Sequence, residues 1–185
     1  GNFIPVEDIC MLADWCEKRG VRLIVDESFV DFSDGWEQNS LLSDKIRETY
    51  PHMLVMKSIS KSYGVPGIRL GILCSADVEI IAKIKKMVSI WNLNSFCEFF
   101  MQIYTKYEKD YKKACDKFIE ECNDFEAKLR TISFLRVIPS QANYFHVEVL
   151  PPFTAKTLVL RMLKEHNILM RDCSGKVGFD NKLYM

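Results

Sequence analysis

The sequence has no surplus of charge: 25 lysines and arginines face 25 aspartates and glutamates over 185 residues. A nucleic-acid binder needs a basic excess against phosphate, so no nucleic-acid partner is expected. No apolar run approaches the roughly 20 residues that cross a bilayer, which argues against a membrane partner. A basic stretch leading into an apolar one is missing at the start, so no secretory signal is visible and a cytoplasmic location is expected. The seven cysteines, Cys10, Cys16, Cys74, Cys97, Cys115, Cys122 and Cys173, include no CxxC pair. His52, His146 and His166 have no carboxylate or cysteine at ligand spacing, so no metal site is expected. Most of the thiols sit among apolar neighbours, as buried free cysteines do. Repeats are absent too. What remains is core-forming material: 48% hydrophobic residues and 12% aromatic ones, a composition that excludes disorder. The chain opens on Gly1 and stops within the strand-like Lys182-Leu183-Tyr184-Met185, so it reads as a piece of something longer.

Pro5, Glu7 and Asp8 open a helical pattern through Ile9, Leu12, Ala13 and Cys16 that Gly20 stops. Nearly continuous apolar runs follow at 21–26, 53–56 and 70–74, the pattern of strands buried on both faces of a parallel sheet. Residues 31–40 read as loop, 41–50 as a short helix stopped by Pro51, and 77–88 as another helix. The longest candidate is 96–130, where Tyr104, Tyr107, Tyr111, Cys115, Phe118, Cys122, Phe125 and Leu129 recur at alternating spacings of three and four. Such a stripe serves either packing on its own protein or a coiled-coil seam. Beyond it, 134–138 and 144–149 alternate like strands with one solvated face. A helix at 154–166 and a strand at 168–170 then complete a β-β-α-β pattern. The chain is therefore α/β, with the second half of a large domain over 1–95, a connecting helix over 96–130 and an incomplete small α+β domain over 131–185.

Three features fall at strand carboxyl ends, where open α/β sheets place ligands. They are Asp26, the segment Ser58-Ile59-Ser60-Lys61, and Arg69 in Gly67-Ile68-Arg69-Leu70-Gly71. Each has an ordinary alternative: a helix cap, a surface lysine, a turn with a charged rim. Together they suit one demand. Two hydroxyls and a guanidinium meet a phosphate, an amine stands beside them, and a carboxylate waits across the sheet top.

Asp26-Glu27-Ser28-Phe29-Val30-Asp31-Phe32, followed by Ser58-Ile59-Ser60-Lys61-Ser62-Tyr63-Gly64-Val65-Pro66-Gly67-Ile68-Arg69-Leu70-Gly71, resembles the signature of fold-type I pyridoxal-phosphate aminotransferases of class I/II. Within that class it is most similar to histidinol-phosphate aminotransferases and threonine-phosphate decarboxylases. Gly1-Asn2 resembles the end of the family's Asn-Pro-Thr-Gly-Asn segment, and Arg171-Asp172 its small-domain arginine motif. The resemblance implies the C-terminal part of a mostly parallel-sheet large domain plus a small α+β domain, truncated at both ends.

It also implies pyridoxal 5′-phosphate as cofactor and a role for each residue. Lys61 would form the Schiff base with the cofactor aldehyde and then shuttle the proton. Asp26 would pair with the pyridine nitrogen and keep it protonated. Ser58, Ser60 and Arg69 would bind the cofactor phosphate, with Gly67 and Gly71 allowing close backbone passage. Arg171 and Asn143 would face the substrate, although a strand-end surface arginine and a turn asparagine are equally plain readings. Trp91, Asn92 and Asn94 resemble a segment of the site's rim, with core packing the safer role for Trp91. The partners implied are an amino acid, phosphorylated or not, and a 2-oxo acid; a homodimer is implied as well.

Phe29 departs from the family, many of whose members carry a tyrosine there that bonds the cofactor's ring oxygen. Phe29 has no hydroxyl to donate, and the change leans toward decarboxylase-like members. Several family contacts, including the arginine for the substrate α-carboxylate, would lie before Gly1 and after Met185. The reading is an aminotransferase working through Lys61. The alternatives are a decarboxylase of a phosphorylated amino acid and a catalytically inert fragment or interaction domain.

Overall fold

Pro5 caps the first helix, α1 (Val6–Glu17), whose Glu7 and Asp8 lie in the first turn. The structure, a computed structural model, describes residues 2–185 apart from the Tyr184 side chain, so Gly1 of the Gly1-Asn2 resemblance lies outside the described residues. Two compact units divide the chain, one Ile4–Asp116 and the other Lys117–Met185 with Asn2 and Phe3.

In the first unit the chain turns away after α1 at Gly20, in the left-handed region at φ 65°. Its last turn holds Val21, whose N–H donates to the Cys16 carbonyl, so β1 (Ile24–Asp26) is shorter than its apolar run suggests. A 3-10 turn at Val30–Phe32 and a short helix α2 (Trp36–Asn39) occupy the stretch expected to be loop. Helix α3 (Asp44–Thr49) leads to β2 (Leu54–Ser58), which passes directly into α4 (Ile59–Ser62). A second 3-10 turn at Pro66–Ile68 precedes β3 (Gly71–Cys74), and Asp77 caps α5 (Val78–Met87) by accepting from the Ile80 N–H.

The sheet order is β1-β2-β3, with β1 and β2 parallel and β3 antiparallel to β2. The expectation of parallel pairing therefore fails for the third strand. Residues 59–70, which link β2 to β3, hold only the four-residue α4 and a 3-10 turn and no crossover helix of the kind that joins parallel neighbours. Burial on both faces is not observed either: Leu54, Val55 and Lys57 are buried, whereas Ile24, Met56, Ile72 and Leu73 are exposed. The core lies on one side, where Ala13, Leu41, Met53 and Val55 cluster with Val6, Ile9, Val25 and Ile46.

Helix α6 (Ser95–Arg130) runs for 36 residues, and the division between the units falls inside it. Asn94 starts it, accepting from the Cys97 N–H at 3.1 Å. Cys115, Leu129 and most of the three-four stripe are at least half-buried, but Tyr107 and Phe125 are exposed. Trp91, assigned to packing from sequence, is 90% exposed.

The second unit holds β4 (Leu135–Ile138), β5 (His146–Val149), α7 (Ala155–His166), β6 (Arg171–Asp172) and β7 (Lys182–Tyr184). Its sheet is antiparallel throughout, in the order β4-β5-β7-β6. The strand expected at 168–170 is displaced to β6. Asn167 closes α7 in the left-handed region, and the Ile168 N–H is drawn back to the Met162 carbonyl, so the ladder starts only at Arg171. Leu129, Val137, Phe145, Val147, Val149, Val159 and Leu183 form this unit's core.

Candidate active site

Because β1 and β2 are parallel, their carboxyl ends open on the same edge of the sheet, with Asp26 level with Met56. β2 continues two residues further to Ser58, which is both its last residue and the N-cap of α4. The Ser58 hydroxyl accepts from the Ser60 N–H at 3.4 Å, and this cap turns the chain so that Lys61 follows within the single helical turn. Ile59 is buried beneath. Tyr63, next after α4, stacks on Tyr111 of α6 with ring centroids 4.1 Å apart and planes 11° apart. Tyr104 lies 5.3 Å from the same ring. A helix too short to stand by itself is thus pinned at both ends.

Ser28 joins the two strand ends. Its hydroxyl donates to Asp26 Oδ1 at 2.5 Å and accepts from the Ser58 N–H at 2.8 Å, while its own N–H donates to Asp26 Oδ1 at 3.0 Å. Asp26, Ser28, Ser58 and Ser60 therefore form one hydrogen-bonded chain. Asp26 Oδ2 takes no hydrogen bond among the described residues and belongs to an exposed side chain. Sequence reasoning did not single out Ser28; the Asp-x-Ser spacing, which favours a side-chain-capped turn, was the available signal.

Lys61 is exposed, with Nζ 5.2 Å from the centroid of the Phe29 ring and no carboxylate partner among the described residues. Arg69 lies beyond the 3-10 turn, in the left-handed region at φ 61°, with Nη1 donating to the Pro66 carbonyl at 3.3 Å. Its loop is held by the Ile68 carbonyl, which accepts from Asn94 Nδ2 at 2.9 Å and from Cys97 Sγ at 2.8 Å. Gly71 faces Ser58 across the ladder, so Arg69 comes to the sheet end that carries Ser58. A Cβ at Gly71 would lie 3.4 Å from the Lys57 carbonyl oxygen, consistent with a close backbone approach. At Gly67 a Cβ would meet nothing within 4 Å, so close passage does not explain that glycine.

Below this rim lies a buried ionic cluster that sequence reasoning also missed, although Lys57 in an apolar strand was its signal. Lys57 Nζ is 2.7 Å from Asp31 Oδ1 and 3.8 Å from Glu27 Oε1. Glu27 accepts from Ser40 Oγ at 2.9 Å and from the Leu41 N–H at 2.8 Å. Burial pushes its carboxyl above the usual carboxylate range, and those hydrogen bonds together with Lys57 pull it back only in part.

The structure brings Asp26, Ser58, Ser60, Lys61 and Arg69 to one end of the first unit's sheet. Asn143 and Arg171 belong to the second unit. Both are exposed, and they lie toward the same end of its sheet, where Arg171 and His146 flank residue 184 across the ladder. The donor set of the first unit fits pyridoxal 5′-phosphate. Two half-buried hydroxyls and an exposed guanidinium suit a phosphate dianion, an exposed amine without a carboxylate partner suits an aldehyde, and a half-engaged carboxylate suits a pyridinium.

The sequence model of the family Aminotransferase class I and II matches residues 1–177. The chain is 30% identical over 164 residues to an L-serine phosphate decarboxylase of Campylobacter jejuni, covering 87% of this chain and 42% of that protein. It is 35% identical over 156 residues to a histidinol-phosphate aminotransferase of Syntrophotalea carbinolica, covering 84% of this chain and 42% of the relative. A solved decarboxylase from Sulfurospirillum multivorans superposes with a TM-score of 0.87 at 27% identity, covering all of this chain and 48% of that one. The chain thus spans about half the length of these relatives.

Proposed function

Since the chain belongs to the class I and II aminotransferases, whose cofactor is pyridoxal 5′-phosphate, we propose that the protein carrying it works at the α-carbon of an amino acid through Lys61. The observation that carries the proposal is the hydrogen-bonded chain from Asp26 through Ser28 to Ser58 and Ser60, which sets a carboxylate, two hydroxyls and the Lys61 turn on one rim. When bound, pyridoxal 5′-phosphate supplies an aldehyde for the substrate amine and a protonated ring that accepts the electrons of the bond broken.

This chain's residues do the rest. Ser58, Ser60 and Arg69 hold the phosphate, Arg69 through a planar fork with a permanent charge. Asp26, oriented by Ser28, offers its oxygen to the ring N–H and keeps that proton in place. Lys61 Nζ would be the amine that meets the cofactor's aldehyde and the group that takes and returns a proton at the substrate side. Asn143 and Arg171 are proposed to face the substrate side, with Arg171 suited to a distal anionic group. The protein is proposed to act as a homodimer.

Two reactions fit this machinery. Transfer of the amino group to a 2-oxo acid is supported by the family and by the histidinol-phosphate aminotransferases among its relatives. Decarboxylation of a phosphorylated amino acid is supported equally by the serine phosphate and threonine-phosphate decarboxylases. Phe29, lacking the hydroxyl, leans toward the second.

The test uses the whole protein with phosphorylated and unphosphorylated amino acids. Amine product with CO₂ decides for decarboxylation, and 2-oxo acid product decides for amino transfer. Lys61→Ala is expected to abolish both the cofactor's absorption band on the protein and turnover with either substrate class. A band unchanged in Lys61→Ala would refute the reading.

A further inference from the structure

We infer that Lys57, with Glu27 and Asp31, is a buried positioning device that fixes the two strand ends on which the cofactor contacts stand. The inference rests on the function proposed above. Side-chain exposures of 7% for Lys57, 4% for Glu27 and 2% for Asp31 place all three charges inside the first unit. Apolar side chains in place of all three charges would fill such an interior site with equal or better stability, so a buried ion cluster points to geometry rather than to strength.

The geometry is specific. Lys57 lies between Met56, level with Asp26, and Ser58, the cap of the Lys61 turn. Glu27 follows Asp26 and extends the ladder through its N–H to the Met56 carbonyl at 2.9 Å. Asp31 sits in the 3-10 turn that begins just after Phe29, whose ring faces Lys61 Nζ. Glu27 also ties down Ser40 and Leu41. One ammonium therefore joins the end of β1, the turn behind Phe29 and the carboxyl end of β2, and through Glu27 the segment leading into α3.

Asp31 depends on Lys57 in particular. Its Oδ2 is buried without a hydrogen-bond partner among the described residues, so the 2.7 Å contact at Oδ1 carries its compensation. Removing either charge lets the 3-10 turn and the β2 end move independently, and Asp26, Phe29 and Ser58 move with them. Lys57 touches none of the reacting atoms. It acts through its neighbours in the chain.

The experiment titrates the whole protein with pyridoxal 5′-phosphate, and separately with pyridoxal, and reads borohydride-trapped adduct at Lys61 by peptide mass. Asp31→Asn keeps the shape of the side chain and leaves Lys57 with Glu27, so it is the working variant. Lys57→Arg keeps the charge, and Lys57→Met removes it. Asp31→Asn is expected to raise the half-saturation for pyridoxal 5′-phosphate roughly tenfold, the order that a displaced binding group costs. The loss should be smaller for pyridoxal, because the displaced segment carries the phosphate-facing Ser58 and Ser60. Lys57→Arg should restore wild-type half-saturation.

A role limited to stability would lower the melting temperature and leave the half-saturation of the folded protein, and its ratio between the two ligands, unchanged. That result in Asp31→Asn overturns the inference even if Lys57→Met fails to fold. Absence of any Lys61 adduct in the wild type overturns the proposed function, and this inference with it.

Discussion

At position 29 a phenylalanine turns an aromatic face toward the site lysine, 5.2 Å from Nζ, where a tyrosine would also offer a hydroxyl. The contact is cation–π in kind and holds an ammonium without taking its proton. Glu27, two residues earlier, titrates under opposing influences, and burial prevails. Its carboxyl lies above the usual range, so the folded protein holds that proton more tightly than the unfolded chain does. Within the window between the usual range and the raised value, unfolding releases protons, and this group's contribution to stability falls as pH rises. Glu27→Gln keeps an acceptor for the Leu41 N–H, its amide can donate to the Ser40 hydroxyl instead of accepting from it, and it cannot ionise. Denaturant titrations at rising pH from about pH 4, the usual glutamate range, should show the wild type losing stability relative to the variant. Equal pH dependence in the two would mean that Glu27 holds no proton more tightly in the folded state.

Among the elements, β7 carries the second unit's sheet: it lies between β5 and β6, and Leu183 at its centre is fully buried. Leu183→Ala should cost about 2–5 kcal/mol in denaturant unfolding of this unit, since the emptied volume sits between strands with little room to collapse. A cost under about 1 kcal/mol would show that the sheet closes around the gap. Several elements were readable because their signals are local. Pro5 and Gly20 bracket α1, Asp77 and Thr154 cap α5 and α7, and the three-four stripe marks α6 almost to the residue. Where the sequence misled, the deciding bonds were made elsewhere in the chain. Antiparallel β3 goes with a preceding connection that holds no crossover helix, and the late start of β6 with a helix cap that claims Ile168. Asp26, Ser58, Ser60, Lys61 and Arg69 were legible because a spaced motif names them. Ser28 and the Lys57 cluster were not singled out, because their local signals are weak and their partners Ser58 and Asp31 lie far away in sequence.

For the whole molecule, one stretch carries several strongly exposed apolar side chains in close succession. Met87, Ile90, Trp91 and Phe96 are 86, 90, 90 and 78% exposed, and Phe99 is 59% exposed. Exposed apolar side chains in close succession are the stretch on which the proposed homodimer would be tested. Trp91→Glu should shift the whole protein from dimer to monomer in sedimentation velocity, and a variant that stays dimeric would clear this stretch of that role. The described residues include no helix long and apolar enough to cross a membrane. Close to the same stretch, Cys97 is 1% exposed, and its Sγ is bonded to the Ile68 carbonyl beside Arg69. A thiol so placed meets an alkylating reagent only when the start of α6 lifts from the arginine loop, which makes Cys97 a native clock for how often that loop breathes.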